Sequence, residues 1–147
     1  MIHETFHCWR PRLLRFCEQL LRNRHDAEEV VQDVFTKLVA QEGRYDLTKE
    51  PGVLLFRIAR NRCIDLRRKK SVPTVTTTDP AAPPSGVDQD LAEALATLPF
   101  AEREALLLTA VEGLGYREVA AILHCSLGSI AAMRCAAIEK LRRRLQP

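Results

Sequence analysis

The sequence predicts an all-α protein made of two small helical domains, a helical bundle over residues 1–70 and a helix-turn-helix domain over 88–147, joined by a flexible Pro/Thr-rich linker over 71–87. Three observations predict it. Apolar residues recur at helical spacing on both sides of the linker. The stretch from Ser71 to Val87 (SVPTVTTTDPAAPPSGV) lacks the apolar residues needed to offset the entropy of ordering it. Near the C-terminus, two helical patterns flank the short turn His124-Cys125-Ser126.

At 147 residues, 46% of them hydrophobic and 28% charged, the chain can bury a core and is not expected to be disordered throughout. No run approaches the ~20 apolar residues of a bilayer span. Met1-Ile2-His3-Glu4 lacks the basic start and apolar core of a signal peptide, so the expected location is the cytoplasm. Cys8, Cys17, Cys63, Cys125 and Cys135 contain no Cys-x-x-Cys pair and read as small packing or surface residues rather than a disulfide framework. His3, His7 and Cys8 could approach one metal, and His124 with Cys125 another. Neither set has a recognised ligand spacing, so no metal and no cofactor is expected. An enzyme is disfavoured, because no nucleophile triad, phosphate-cradling loop or placeable carboxylate pair is visible.

The first helix is read from Phe6, Trp9, Leu13, Phe16, Cys17 and Leu20, with Arg10, Arg12, Arg15 and Glu18 mostly outward. Pro11 either kinks it or marks its start. Asp26 and Glu29 then resemble a capping box opening a second helix, whose apolar face is Ala27, Val30, Val31, Val34 and Leu38. Its other side carries Glu28, Glu29, Gln32 and Asp33, with Phe35 at the edge. By spacing alone this is either a solvated acidic face or a docking surface for a basic partner. Gln41 to Gly52 reads as a loop.

The chain is organised around the stretch from Phe56 to Lys70. Its residues carry a net charge of +6, in a chain whose total is +3. At 100° per residue, Leu55, Ile58, Ala59, Cys63 and Leu66 share a face with the stem of Arg62, while Arg57, Arg60, Asn61 and Arg68 project from the other side and Arg67 flanks. Ile64 falls on the basic side and calls for a second covering surface. A helix held by an apolar stripe and presenting guanidinium groups suits a polyanion, nucleic acid first. By region the net charges are +5 for residues 1–70, −4 for 71–99 and +2 for 100–147.

Beyond the linker, Asp88 to Leu98 restarts helix and Pro99 ends or redirects it. Ala101 to Glu112 is expected to turn Leu106, Leu107, Ala110 and Val111 inward, with Gly113 as its C-terminal cap. A helix through Tyr116–Leu123 and another from about Leu127 to Leu145, capped by Ser126, complete the helix-turn-helix.

The two halves together resemble the extracytoplasmic-function (group IV) sigma factors of bacterial RNA polymerase. The resemblance rests on Asp26-Ala27-Glu28-Glu29-Val30-Val31-Gln32-Asp33-Val34-Phe35, on the run Phe56 to Arg68, on Leu95-Ala96-Thr97-Leu98-Pro99 through Glu104, and on Glu112 through Leu123. It implies that Asp26, Glu28, Glu29, Gln32, Asp33 and Phe35 dock on the clamp of the largest subunit of core RNA polymerase. It further implies that the loop 41–52 and the basic helix melt and hold the minus-ten element of promoter DNA. Arg57, Arg60, Asn61, Arg62, Arg67, Arg68 and Lys69 are the candidate contacts, offsetting the few kcal/mol that unstacking a flipped base costs.

The C-terminal domain would read the minus-thirty-five element through Arg117, Ser126, Ser129 and Arg134. An anti-sigma factor is the further partner implied. The chain departs from the common pattern where the recognition helix carries Ala131, Ala132 and Met133 in place of Lys, Ser and Arg, and where Leu54, Gly115 and His124 replace a Trp, a Ser or Thr cap and a turn Gly. These departures motivate an alternative, a degenerate sigma-like module that binds polymerase or an antagonist without reading DNA.

Overall fold

The computed structural model describes residues 2–44, 51–70 and 89–146, so the linker and the middle of the 41–52 loop lie outside the described residues. The chain divides into two compact units, Met1–Ala82 and Pro83–Pro147. Among the described residues every regular element is a helix.

The first unit holds α1 (Ile2–Leu21), α2 (Arg24–Ala40) and α3 (Pro51–Lys70). Helix α1 runs through Pro11 and starts well before it. Its buried stripe is Phe6, Leu13, Leu14, Phe16, Cys17 and Leu20, and it meets Ala27, Val30, Val31, Val34 and Leu38 of α2 and Leu55, Phe56, Ile58, Ala59 and Cys63 of α3. Phe56 is wholly buried, edge-on to Phe16 and Trp9, so this aromatic at the start of the basic run is core. The Cys17 thiol is held well above its ordinary range, first by its hydrogen bond with Cys63 and then by burial.

Two expectations about this unit are corrected. The cap of α2 lies one turn earlier than Asp26: Asn23 is the N-cap, its Oδ1 accepting from the Asp26 backbone N–H at 3.1 Å. Asn23 supplies the acceptor that the orphan amide needs, and Asp26 is thereby buried in the first turn. Glu18 is not outward but buried, tied at 3.2 Å to Arg24 across the α1–α2 turn, an ion pair that spacing within one helix cannot reveal.

The second unit holds α4 (Gln89–Ala96), α5 (Phe100–Leu106), α6 (Tyr116–Leu123) and α7 (Leu127–Leu145). Helix α5 continues into a widened π turn over Leu107–Val111, where the Glu112 N–H donates to the Leu107 carbonyl at 2.9 Å. The extra residue in that turn shifts the phase of the side chains. Leu106, Leu107 and Leu108 are buried, but Ala110 and Val111, expected inward, are exposed, and Glu112 is buried at 5% in their place. Gly113, at φ +73°, then reverses the chain as its expected capping role requires. Helix α7 crosses both α4 and α5, and a Lys140–Glu102 ion pair at 2.8 Å fixes it against α5.

Candidate nucleic-acid interface

Helix α3 is amphipathic by charge. Its core side is set by Leu55, Phe56, Ile58, Ala59 and Cys63. Arg57, Asn61, Arg67, Arg68 and Lys69 are exposed, Arg60 and Ile64 are half-buried, and Leu66, expected inward, is half-buried too. Arg57, Asn61 and Arg68 recur at intervals of four and seven, so they form one stripe. Arg62 stands apart. Its Nε and terminal nitrogen both donate to Asp33 Oδ2, at 3.1 and 2.6 Å, so this charge is opposed from α2.

At the start of α3 the Trp9 indole lies over Gly52, where an added Cβ would come within 2.5 Å of the ring. The Arg12 guanidinium covers that indole at 4.3 Å. The first turn of α3 is thus held against α1 by an aromatic–cation stack, which no spacing rule signals.

The acidic helix divides in the same way. Glu28, Glu29 and Gln32 are exposed, with Glu28 also accepting from Arg24 at 3.1 Å. Phe35 is half-buried between His3 and Phe6, with ring centroids 5.2 and 4.7 Å away, and borders an open groove between α1 and α2. Asp26 is buried and Asp33 faces Arg62, so these two do not share the exposed face. Sequence spacing within α2 could not show that α1 supplies the other wall of the groove.

In the second unit α6 and α7 meet at 99° across the turn at His124, whose φ of +55° gives the left-handed conformation that a Gly would adopt more freely. Ser126 caps α7, accepting from the Ser129 N–H at 3.1 Å, and the two hydroxyls meet at 2.9 Å. Gly115 opens α6 with no side-chain cap. Of the four residues expected on DNA here, Arg117 is exposed, Ser126 and Ser129 are exposed but engage each other, and Arg134 is half-buried with its Nε unbonded. The first half of α7 exposes Leu127, Gly128, Ser129, Ala132 and Cys135, with few donors, whereas its last turns expose Lys140, Arg142, Arg143 and Arg144. Among the described residues no group of three His, Cys, Asp or Glu side chains is placed to hold a metal ion, and no single helix is long and apolar enough to cross a membrane.

Comparison with known proteins fits this division. The Sigma-70 region 2 profile matches residues 5–72, and the Sigma-70, region 4 profile matches 88–141. RNA polymerase sigma factor CarQ of Myxococcus xanthus is 31% identical over 146 residues, covering 90% of this chain and 82% of that protein. ECF RNA polymerase sigma factor SigE of Mycolicibacterium smegmatis is 31% identical over 136 residues, and there the match takes in 81% of this chain but about half, 51%, of the relative. The solved sigma factor RpoE of Bartonella quintana, in complex with the anti-sigma factor NepR, superposes with a TM-score of 0.80 at 28% identity, covering 92% of this chain and 90% of that one. With both regions matched in order, a basic α3 inside the first and most of a helix-turn-helix inside the second, the chain belongs to the sigma-70 family, in its extracytoplasmic-function group.

Proposed function

We propose that this chain is a promoter-specificity subunit that binds core bacterial RNA polymerase, recognises promoter DNA and enables strand opening at initiation. The observation that carries this reading is the pairing of faces in the first unit. Helix α2 presents an exposed acidic edge and its packing neighbour α3 an exposed basic stripe, both within the segment matched to region 2. Glu28, Glu29, Gln32 and Phe35 supply an acidic edge with an aromatic anchor, suited to a basic helical surface on the polymerase clamp. Arg57, Arg60, Asn61, Arg67, Arg68 and Lys69 supply phosphate contacts and, at Asn61, a donor and acceptor for a base edge, suited to the separated minus-ten strand.

The polymerase performs the chemistry, and this chain contributes no catalytic group. Its place of action is the cytoplasm, where polymerase and DNA are. The second unit would contact the minus-thirty-five element weakly, since the N-terminal half of α7, the end that would enter the groove, exposes no cation to displace counterions. By similarity to the RpoE–NepR complex, an anti-sigma protein is the proposed antagonist.

Reconstitution tests the reading. The purified chain should co-elute with core polymerase and direct defined transcripts from a genomic fragment pool. Co-elution without any transcript would favour the alternative, an interaction module that reads no promoter, for which the donor-poor first half of α7 speaks.

A further inference from the structure

We propose that Asp33 and Arg62 are positioning residues, a salt-bridged joint that sets the rotation of the basic helix against the acidic one, rather than contacts to polymerase and to DNA. This rests on the reading of α2 as the polymerase-docking helix and α3 as the DNA-binding one. Asp33 immediately precedes Val34, and Arg62 immediately precedes Cys63, and both of those neighbours are wholly buried. Each charged side chain therefore stands at the lip of the α2–α3 seam. Two guanidinium nitrogens converge on one carboxylate oxygen, at 3.1 and 2.6 Å. A planar fork held through two donors restricts orientation, which a single ammonium contact does not.

The pair is only about two-thirds withdrawn from solvent, with side chains 34% and 36% exposed, so solvent screens it and its share of folding stability is small. Its effect is geometric. Rotation of α3 about its axis decides where the stripe of Arg57, Asn61 and Arg68 points, and a slip of one residue turns that stripe by about 100°. A joint across the seam adds a directional restraint on such rotation to the packing of the buried Leu55, Phe56 and Ile58 side chains. It also removes one negative charge from the docking edge and one positive charge from the stripe, which leaves Glu28, Glu29 and Gln32 to meet the polymerase.

Charge exchange across the pair tests this. Core RNA polymerase is reconstituted with the chain carrying Asp33→Asn, Arg62→Gln, Arg62→Lys, or the exchange Asp33→Arg with Arg62→Asp. Two affinities are read: that of the labelled chain for core, and that of the holoenzyme for a bubble duplex selected from a randomised pool by the unaltered holoenzyme. Thermal melts confirm that each variant is folded at the assay temperature.

Asp33→Asn should leave core affinity within about twofold and lower bubble affinity about fivefold or more. Arg62→Lys, which keeps the charge but loses the fork, should fall between, and the exchange should recover bubble affinity to within about twofold. A tenfold loss of core affinity in Asp33→Asn, or an exchange that recovers nothing, overturns the proposal. Arg57→Ala and Arg68→Ala separate the two readings. If they lower bubble affinity while the exchange fails, only the joint is wrong. If they too change nothing, the role of α3 on DNA is wrong and the joint falls with it.

Discussion

Gly52 is defined by what lies over it. A Cβ there would meet the Trp9 ring at 2.5 Å, and the indole is itself covered by Arg12 and edge-packed on Phe56. Helix propensity favours Ala over Gly by about 0.5–1 kcal/mol, whereas forcing a methyl into a packed contact costs about 1–3 kcal/mol. The clash wins, so Gly52→Ala should destabilise the first unit by roughly 1–2 kcal/mol in a urea titration. In a Trp9→Leu background the sign should reverse to neutral or slightly stabilising, because the atom it collides with is gone.

Cysteine reactivity makes a second residue-level prediction. Cys17 and Cys63 are buried and joined by a hydrogen bond, while Cys8 and Cys135 are exposed. Alkylation of the native protein followed by mass spectrometry should label Cys8 and Cys135 first and leave Cys17 and Cys63 unmodified until unfolding. The raised Cys17 pKa also fixes a sign. The unfolded thiol ionises at lower pH than the folded one, so this contribution to stability is complete below the ordinary thiol range and declines as pH rises through it.

At the scale of elements, caps and turns decide how the second unit is shaped. His124 adopts a left-handed conformation and Ser126 caps α7. His124→Gly should raise stability by about 1 kcal/mol by relieving the left-handed strain. Ser126→Ala should lower it by about 1 kcal/mol through loss of the cap, and thermal melts read both. The Ser126 cap is legible in the sequence because it follows from local residue type, whereas the left-handed turn at His124 is implied by the resemblance, which puts a Gly there. The helices α1, α2, α3 and α7 and most of their core residues are legible as well, since 3.6-residue periodicity reports burial whenever a helix is regular.

The π turn at Leu107–Val111 was not legible. One inserted residue changes the phase without changing the composition, so a regular 3.6-residue period puts Ala110 and Val111 inward although they face solvent. The site divides along the same line. The exposed cations of α3 were readable from its periodicity, but the Arg62–Asp33 fork, the Glu18–Arg24 pair and the His3–Phe35 stack each join two helices. Contacts of that kind depend on how helices are set against one another, which spacing within one helix does not encode.

Across the whole molecule, charge is distributed unevenly. A net +6 is concentrated between Phe56 and Lys70, while the entire chain carries only +3. Such concentration makes DNA binding strongly salt-dependent, because each neutralised phosphate releases counterions. The salt slope of holoenzyme binding to single-stranded DNA should therefore flatten by roughly 0.7 for each α3 cation removed, and substitutions at Arg117 should alter it much less.

The most direct measurement is promoter-strand reactivity to permanganate in a reconstituted holoenzyme carrying Arg57→Glu, Arg67→Glu and Arg68→Glu together. Retained core binding with loss of reactive, unpaired thymines is the result predicted. Unaltered strand opening by that variant would contradict the assignment of α3 to the DNA strand.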